Sequence, residues 1–288
     1  MPMDTRLLRS FLAVVRTGNI TAAAGELTFA QSTVTAHVQA LERLAGTRLL
    51  DRHPAGVTPT HAGTRLAEHA RQLLDLEDRM FAEVADRRPA GPVRLYAPES
   101  VCAYRLPSVL REITRRLPEV RLTLVPAPTR TAVRALGERQ ADLALALEPS
   151  IRYSTVDSVD LGRQRISLVA PPDTPLPRTR AITAAELTEA GVLLLERGCG
   201  YNDELAEMVA DTPPRYGGVE VVKRCVEAGL GLALLPTVTV APELEAGRLV
   251  ELRSPPIARY HLWLLRGREQ WASPAVEAVA ESLTTLCT

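Results

Sequence analysis

The chain has 288 residues, which is long for one domain and sufficient for two or three, and its 46% hydrophobic and 24% charged residues are typical of a globular protein. Its 34 basic and 34 acidic residues exclude a strongly basic overall balance, although a local DNA-binding surface remains compatible with zero net charge. The first residues lack a signal-peptide layout and no apolar run reaches the about 18 residues of a membrane span, so we expect a cytoplasmic protein without membrane association.

Apolar residues at helical spacing predict three helices near the start of the chain. The first covers residues 4–17, the second 21–27 and the third 31–45. Gly18 and Gly46 follow the first and third helices, as is common at helix C-termini. The short second helix is predicted to bury three apolar side chains: Ala22, Ala23 and Leu27.

A hairpin and a long helix come next. Two short extended runs, 49–52 and 57–60, flank a connection that contains Pro54 and Gly56. Three helices followed by a hairpin are the outline of a winged helix-turn-helix. The long helix begins at Thr60, and its apolar stripe consists of Leu66, Ala70, Leu73, Met80 and Val84. We predict that this stripe is a dimer seam, because no other N-terminal helix remains to cover it; ordinary core packing is the alternative.

The pattern changes after a proline-rich hinge at residues 89–92. Strands then alternate with helices, which predicts an α/β domain with a mostly parallel sheet, and nearly 200 residues suggest two lobes. The predicted strands are 93–97, 120–125, 142–147, 166–170, 192–195, 232–235 and 261–265. The predicted helices lie near 101–116, 130–139, 184–190, 201–210, 218–228 and 274–286.

The third helix begins with short polar side chains that suit base recognition. The residues predicted to be exposed there include Gln31, Ser32, Thr33, Thr35 and His37. A recognition helix presents its N-terminal residues to base edges in the major groove, where Gln can pair with adenine and a Thr methyl can contact thymine. The spacing of Thr28 and Gln31 suggests a capping box that replaces a missing cap at Ala30.

The segments RLLRSFLAVVRTGNITAAAGEL and AQSTVTAHVQALERLAGTRLLDRHPAGVTPTHAG resemble the N-terminal signature of the LysR-type transcriptional regulators nearly end to end. The resemblance implies a DNA-binding domain over 1–60 and a dimerisation helix over 61–88. It also implies that Arg52 and Thr60 face the DNA backbone. The full predicted DNA-binding set is Thr21, Gln31, Ser32, Thr33, Thr35, His37, Arg52 and Thr60. Residues 1–60 carry six Arg and four acidic residues, which predicts weak non-specific affinity for DNA.

The resemblance continues to the end of the chain. Segments such as GPVRLYAPESVCAYRLPSVLREITRRLPEVRLTLV and VEVVKRCVEAGLGLALLP are similar to a LysR effector domain, a periplasmic-binding-protein-like pair of α/β lobes. This similarity implies an effector-binding domain over 93–288. The first lobe is expected at about 93–160 and 267–288, and the second at about 161–266.

Candidate effector contacts follow the predicted strands, because ligands of open α/β sheets bind beyond the carboxyl ends of strands. They are Ser100, Thr129, Cys199, Gly200, Tyr201 and Gly218. Plain N-capping is the alternative role of the two hydroxyls. Asn202 and Gly218 stand where the family often has an Arg and a hydroxyl residue. We therefore expect a polar or anionic effector that is bulkier and less acidic than a simple dicarboxylate.

The sequence as a whole predicts a transcriptional regulator that binds operator DNA as a dimer or tetramer, responds to a small effector and contacts RNA polymerase. It contains no GxSxG, HExxH or P-loop motif, so neither an enzyme nor a cofactor is expected. Two alternatives stay open. Cys199 and Cys225 could form a thiol redox sensor, although the cysteines lack CxxC or zinc spacing. A solute-binding protein shares the two-lobed fold but would not carry a DNA-binding module.

Overall fold

The structure, a computed structural model, describes residues 4–53, 56–84, 88–210, 212–268 and 270–287, without the side chains of 75 and 78–84. The chain forms two compact units, Met1–Arg87 and Arg88–Thr288. Within the described ranges, no helix combines the length and the apolar character needed to cross a membrane.

The first unit begins with three helices. They are α1 (Thr5–Thr17), α2 (Ile20–Leu27) and α3 (Gln31–Ala45). The Asp4 carboxylate caps α1 by accepting the N–H of Arg6, and the Asn19 side chain caps α2 in the same manner. Gly18 ends α1 with a φ of 63°, a left-handed conformation that glycine adopts without a steric penalty.

A hairpin and the long helix complete this unit. The elements are β1 (Leu50–His53), β2 (Gly56–Pro59) and α4 (His61–Val84), and the two strands are antiparallel. The Thr60 hydroxyl accepts a 3.0 Å hydrogen bond from the N–H of Gly63 at the start of α4. The same hydroxyl donates to the Arg48 carbonyl at 2.9 Å, so it joins the hairpin to the helix.

The core of the first unit lies between α1 and the other helices. Its buried side chains include Leu8, Phe11, Val14, Val34, Val38, Leu41, Ala67, Ala70 and Leu74. The expectation that no helix covers the stripe on α4 is wrong, because α1 packs against it. Ala70 is buried in this core, and Leu66 and Leu73 are partly buried against it. The side chains of Met80 and Val84 lie outside the described residues.

The buried face of α2 differs from the prediction by one residue. Ala23 and Ala24 are buried, whereas Ala22 is exposed and Leu27 is half-buried. The helix begins at Ile20, one residue earlier than predicted, and the Ile20 side chain is itself buried. The core-facing stripe is therefore rotated away from Ala22.

The predicted capping box at the start of α3 does not form. Thr28 instead ends α2 in a left-handed conformation, with a φ of 56°. Ala30 stands at the cap position of α3 and provides no side-chain hydrogen bond. The chain thus uses Thr28 to finish one helix, and the next helix starts without a side-chain cap.

The first lobe of the second unit is built on a five-stranded sheet. Its strands are β3 (Gly91–Ala97), β4 (Val120–Pro126), β5 (Leu143–Glu148), β6 (Val156–Gln164) and β10 (Tyr260–Gly267), in the order β4-β3-β5-β10-β6. Its helices are α5 (Glu99–Tyr104), α6 (Leu106–Arg116), α7 (Thr129–Gly137) and α12 (Pro274–Cys287). β5 is buried on both faces, with Leu143 and Leu145 packed against α6 and α12, and Ala144 and Ala146 against α7. Burial on two faces explains its unbroken apolar sequence.

The second lobe contains a smaller sheet. Its strands are β7 (Ile166–Ala170), β8 (Ala233–Pro236) and β9 (Val250–Leu252), in the order β8-β7-β9. Its helices are α8 (Ala184–Ala190), α9 (Gly200–Glu207), α10 (Val219–Glu227) and α11 (Thr237–Glu245). The predicted strand 192–195 forms only isolated bridges, between Val192 and Leu232 and between Leu194 and Arg215.

The alternating pattern predicted a mostly parallel sheet, and this prediction is wrong. β3, β4 and β5 are parallel, but β10 is antiparallel to both its neighbours, and the second sheet is antiparallel throughout its paired strands. The predicted lobe boundary at residue 266 is also wrong, because β10 pairs with β5 and β6 of the first lobe. The sequence did not predict β6, because it is an edge strand. Its residues 157–160 are all exposed and do not alternate between buried and exposed positions.

Two helix predictions also need correction. The helix predicted over 101–116 is two helices, α5 and α6, and Pro107 lies in the first turn of α6, where a missing N–H is tolerated. α11 was not predicted because its sequence TVTVAPELE combines β-branched residues with Pro242 inside the helix. Packing against β8 and α5 stabilises it despite this low propensity.

Candidate functional site

The start of α3 presents polar groups to solvent. Gln31 and Ser32 are exposed, and Thr33 and Thr35 are partly exposed. The Thr35 hydroxyl donates to the Gln31 carbonyl at 3.0 Å, which orients the Thr35 methyl away from that bond. Because Ala30 supplies no side-chain cap, the first N–H groups of α3 remain open to an external acceptor such as a DNA phosphate.

His37 is held in place between α1 and the turn before α3. Its Nδ1 lies 2.7 Å from the Oγ of Ser10, a buried residue of α1. The ring of Phe29 contacts the imidazole edge-on, with 5.7 Å between ring centroids. Anchoring at Nδ1 leaves the other ring nitrogen of His37 for an external partner.

The remaining predicted DNA contacts have different surroundings. Thr21 is exposed on α2 and Arg52 is exposed on β1 of the hairpin. Thr60 is half-buried, and its hydroxyl is occupied by the hydrogen bonds with Gly63 and Arg48. The structure therefore gives Thr60 a role in starting α4, while its contact with the DNA backbone stays a prediction.

Ion pairs reduce the positive charge that the first unit offers to DNA. Arg9 pairs with Glu77 at 3.0 Å. Among the described residues, Arg6 also pairs with Asp4 and Arg16 with Glu26. These pairs involve three of the six arginines in residues 1–60, and weak non-specific affinity for DNA stays a prediction.

A cleft between the two lobes of the second unit brings together all six predicted effector contacts. Ser100 and Thr129 begin helices of the first lobe, whereas Cys199, Gly200, Tyr201 and Gly218 belong to the second. The unfilled volume of the cleft is about 50 Å³. Its lining also includes Pro98, Glu99, Pro128, Leu147, Glu148, Leu195, Glu196, Gly198 and Val219. That these residues bind an effector stays a prediction.

The hydroxyl groups in the cleft lie among other polar groups of the chain. Tyr201 is buried, which raises the pKa of its phenol, and Cys199 and Ser100 also influence that pKa. Thr129 lies beside Glu148 and lowers the pKa of its carboxyl group. Both predicted hydroxyl residues, Ser100 and Thr129, are buried.

Three carboxylates in the cleft were missed by the sequence interpretation: Glu99, Glu148 and Glu196. The Oε2 of Glu99 accepts the N–H of Val219 at 2.8 Å, so a first-lobe side chain caps the second-lobe helix α10. Glu148 is the last residue of β5, and the strand-end rule that selected Ser100 could have selected it too. The sequence interpretation expected a polar or anionic effector; the nature of the effector stays a prediction, and the carboxylates of this lining bear on its charge.

Cys199, immediately before α9, and Asn202, within it, are packed into the second lobe. Burial raises the pKa of the Cys199 thiol to about 12. Asn202 is fully buried, and its Oδ1 accepts the N–H of Leu195 at 2.9 Å while its Nδ2 donates to the Leu234 carbonyl at 3.3 Å. Asn202 therefore holds the segment before α9 against β8 and does not line the cleft.

A second contact between the lobes lies on α10. Lys223 is 3% exposed, and its Nζ lies 3.0 Å from a carboxylate oxygen of the buried Glu243 and 2.8 Å from one of Glu220. Tyr104 of the first lobe completes the cluster, because its hydroxyl contacts both Glu220 and Lys223. α5 of the first lobe thus contacts α10 at its start through Glu99 and one turn later through Tyr104.

Two family models match the chain and together cover most of its length. A model described as "Bacterial regulatory helix-turn-helix protein, lysR family" matches residues 5–64, and one described as "LysR substrate binding domain" matches residues 86–288. The chain is 29% identical over 283 residues to the HTH-type transcriptional regulator YwqM of Bacillus subtilis, which covers 96% of this chain and 97% of that protein. It is also 29% identical over 254 residues to GltR of the same organism, covering 86% of this chain and 84% of GltR.

Solved structures show the same fold. A full-length OxyR variant from Pseudomonas aeruginosa has a TM-score of 0.79 at 20% identity and covers 100% of this chain and 95% of its own. ArgP from Mycobacterium tuberculosis has a TM-score of 0.71 at 21% identity, with 100% and 98% covered. Full-length CbnR complexed with its target DNA has a TM-score of 0.62 at 21% identity, with 98% and 99% covered. With its helix-turn-helix and its substrate-binding domain both matched, the chain belongs to the LysR family of transcriptional regulators.

Proposed function

We propose that this regulator binds operator DNA as a dimer or tetramer through α3, and that an effector in the cleft between the lobes controls this binding. The observation that carries the proposal is the exposed, uncapped start of α3, where Gln31 and Ser32 face solvent. Contact with RNA polymerase follows from the proposed role in transcription. Because the chain belongs to a family of DNA-binding transcriptional regulators, we also propose that it acts in the cytoplasm and is not an enzyme.

In the proposed DNA-binding role, different residues provide sequence preference and general affinity. Gln31 offers an amide that can pair bidentately with adenine, and the anchored His37 offers one ring nitrogen. Arg52 on the hairpin carries a charge suited to a phosphate. Base contacts provide sequence preference, whereas the phosphate contact contributes affinity that falls with salt.

The effector role rests on the cleft. An effector that binds one arrangement of the two lobes better than another shifts the population towards that arrangement. We propose that this shift reaches the DNA-binding unit through the hinge at residues 89–92. A tenfold change in DNA affinity requires only about 1.4 kcal/mol of such preference.

The redox alternative would use Cys199 and Cys225. A redox-sensing cysteine needs substantial thiolate character, whereas burial raises the pKa of the Cys199 thiol to about 12. Cys225 packs partly buried against the core of the second lobe. The pKa of Cys199 therefore argues against its half of this alternative. The solute-binding alternative conflicts with the matched helix-turn-helix.

The proposal is tested by selecting binding sites from random duplex DNA with the full-length protein and then measuring affinities by fluorescence anisotropy. Gln31→Ala is expected to lose about 1–3 kcal/mol of discrimination at one base pair. Arg52→Ala is expected to weaken binding to all sequences alike and to lower the slope of log K against log salt by about one.

Arg111→Ala is the matched control, because Arg111 is an exposed arginine on α6 of the second unit. It should leave both discrimination and salt slope unchanged. Failure to enrich any sequence, or equal affinity of the wild-type protein for selected and random DNA, contradicts the proposal.

A further inference from the structure

The cleft between the two lobes of the second unit has an acidic lining. Glu99, Glu148 and Glu196 contribute to it, and its described lining contains no Lys or Arg. We propose that the effector carries a protonated amine or guanidinium that binds against Glu148 and Glu99. This inference rests on the proposed function, which supplies the effector site, and the carboxylates decide only the charge of the ligand.

Two glycines make room for these carboxylates. A Cβ on Gly200 would lie 2.9 Å from Oε2 of Glu148 and 3.2 Å from the ring of Tyr260. A Cβ on Gly218 would lie 3.4 Å from Oε1 of Glu99, and the φ of +96° at Gly218 disfavours other residues. Both glycines that the sequence placed at the effector site thus clear space beside a carboxylate.

One donor that would bind an anion is occupied by the chain itself. The N–H of Val219, at the start of α10, donates to Glu99. Thr129, at the start of α7, lies beside Glu148 and lowers the pKa of its carboxyl group. An anionic effector would therefore meet a carboxylate at both of these helix starts, and like charges repel in a partly buried site.

A cationic ligand would also stabilise the charged form of Glu148. Burial raises the pKa of its carboxyl group, and the charge of Asp203 acts in the same direction, opposed by the hydrogen bond from Thr129. A cation beside Glu148 offsets this cost of burying a negative charge.

The volume of the cleft limits the size of the ligand that can bind. About 50 Å³ of unfilled volume holds about three to five water molecules, which is room for a short amine or the amine end of a longer molecule. The outer groove that continues from Pro128 and Glu148 is mixed in charge, so it adds no net preference. Its charged residues are Arg130, Arg197, Arg215, Glu148, Asp203 and Glu207.

The test compares ethanolamine hydrochloride with sodium acetate, two probes of four heavy atoms each, on the full-length protein. Calorimetric titrations are run at one ionic strength in phosphate buffer, because an amine buffer would compete. Ethanolamine is expected to bind with a dissociation constant in roughly the high-micromolar to millimolar range that such small ligands reach. Acetate is expected to bind at least tenfold more weakly. Acetate binding as tightly as ethanolamine, or no ethanolamine binding at all, overturns the inference.

Charge-neutral variants locate the site. Glu148→Gln is expected to weaken ethanolamine binding at least tenfold. Glu245→Gln, on an exposed glutamate of α11 outside the cleft lining, should leave it unchanged. Unchanged affinity in Glu148→Gln overturns the inference. The site selection on random DNA separates the two proposals, because loss of amine binding with intact selection refutes only the ligand class, whereas failed selection refutes the DNA-binding function.

Discussion

Glu148 illustrates how a single residue in the cleft carries two opposed roles. It ends a buried strand, its carboxylate lies beside Thr129, and its carbonyl accepts the indole N–H of Trp263 at 3.0 Å. Desolvation raises the pKa of its carboxyl group. A charge that suits a cationic ligand therefore destabilises the protein while the ligand is absent.

The neutral variant Glu148→Gln is expected to be more stable than the wild type without ligand at neutral and alkaline pH. A raised folded-state pKa means that the favourable contribution of Glu148 is complete below its unfolded pKa and is lost as pH rises through the folded pKa. Glutamine does not ionise, so the variant does not lose this stability as the pH rises. The difference in Tm should therefore be larger at about pH 8 than at about pH 5.

The charged and titratable groups around position 148 are the same in both proteins, and the expected difference includes the loss of their interactions with the charge of Glu148. They are Asp203 and Tyr260, together with Arg130, Arg197 and Arg215 of the adjoining groove. Melting followed by tryptophan fluorescence reports on the second unit, since both tryptophans, Trp263 and Trp271, lie there. A wild-type protein that melts above the variant at about pH 8 contradicts the prediction.

At the scale of elements, the close approach of α4 to the hairpin depends on Gly63. A Cβ at this position would lie 2.0 Å from the carbonyl oxygen of Leu49, which is a backbone atom and cannot rotate away. Gly63→Ala is expected to destabilise the first unit by about 1–3 kcal/mol, because the helix must shift outward.

Gly25→Ala is the matched control in the same unit. Gly25 lies inside α2, and no atom approaches its would-be Cβ within 4 Å. Alanine there should stabilise the unit by about 0.5–1 kcal/mol by favouring the helix. Hydrogen exchange of the α1 and α3 amides measures both changes, since the tryptophans lie in the other unit. Equal protection in the two variants would show that α4 does not need the close approach.

Contacts between elements also link the lobes beside the cleft. α5 contacts α10 through Glu99 and through the cluster of Tyr104, Glu220 and Lys223. Glu99 both lines the cleft and caps α10, so a cation that binds Glu99 acts directly on a bond between the lobes. This arrangement gives the proposed effector a physical route to a change in lobe arrangement.

For the molecule as a whole, self-association is expected through the face of α4 that α1 leaves uncovered. Leu76 is 51% exposed on this helix, whereas Ala67, Ala70 and Leu74 are buried. Burial of exposed leucine side chains between two copies would stabilise a dimer. Light scattering at micromolar concentration should give at least about twice the chain mass of 31.3 kDa.

Leu76→Glu is expected to shift this equilibrium towards the monomer. Leu44→Glu is the control, because Leu44 is a similarly exposed leucine, at 41%, on α3 of the same unit. A wild-type protein that scatters as a monomer contradicts the dimer. A Leu76→Glu protein that keeps the wild-type mass contradicts this choice of interface.

The sequence by itself determined the family, the order of the two units and most of the helices. Local signals account for this success: Gly18 ends α1 and Asn19 caps α2 within a few residues of the apolar stripes that they bound. The six cleft residues were also found, because each lies at a strand end or a helix start, and these positions are marked in the local pattern.

Only the tertiary structure decided the direction of the strands, the lobe to which β10 belongs and the covering of α4 by α1. It also decided the charge of the cleft. Glu99 meets the N–H of Val219, which lies 120 positions further along the chain. Contacts over such separations leave no periodic trace in the sequence, because they depend on how complete elements pack. The sequence therefore indicated where a ligand could bind, and the three-dimensional packing decided which charge that ligand would meet.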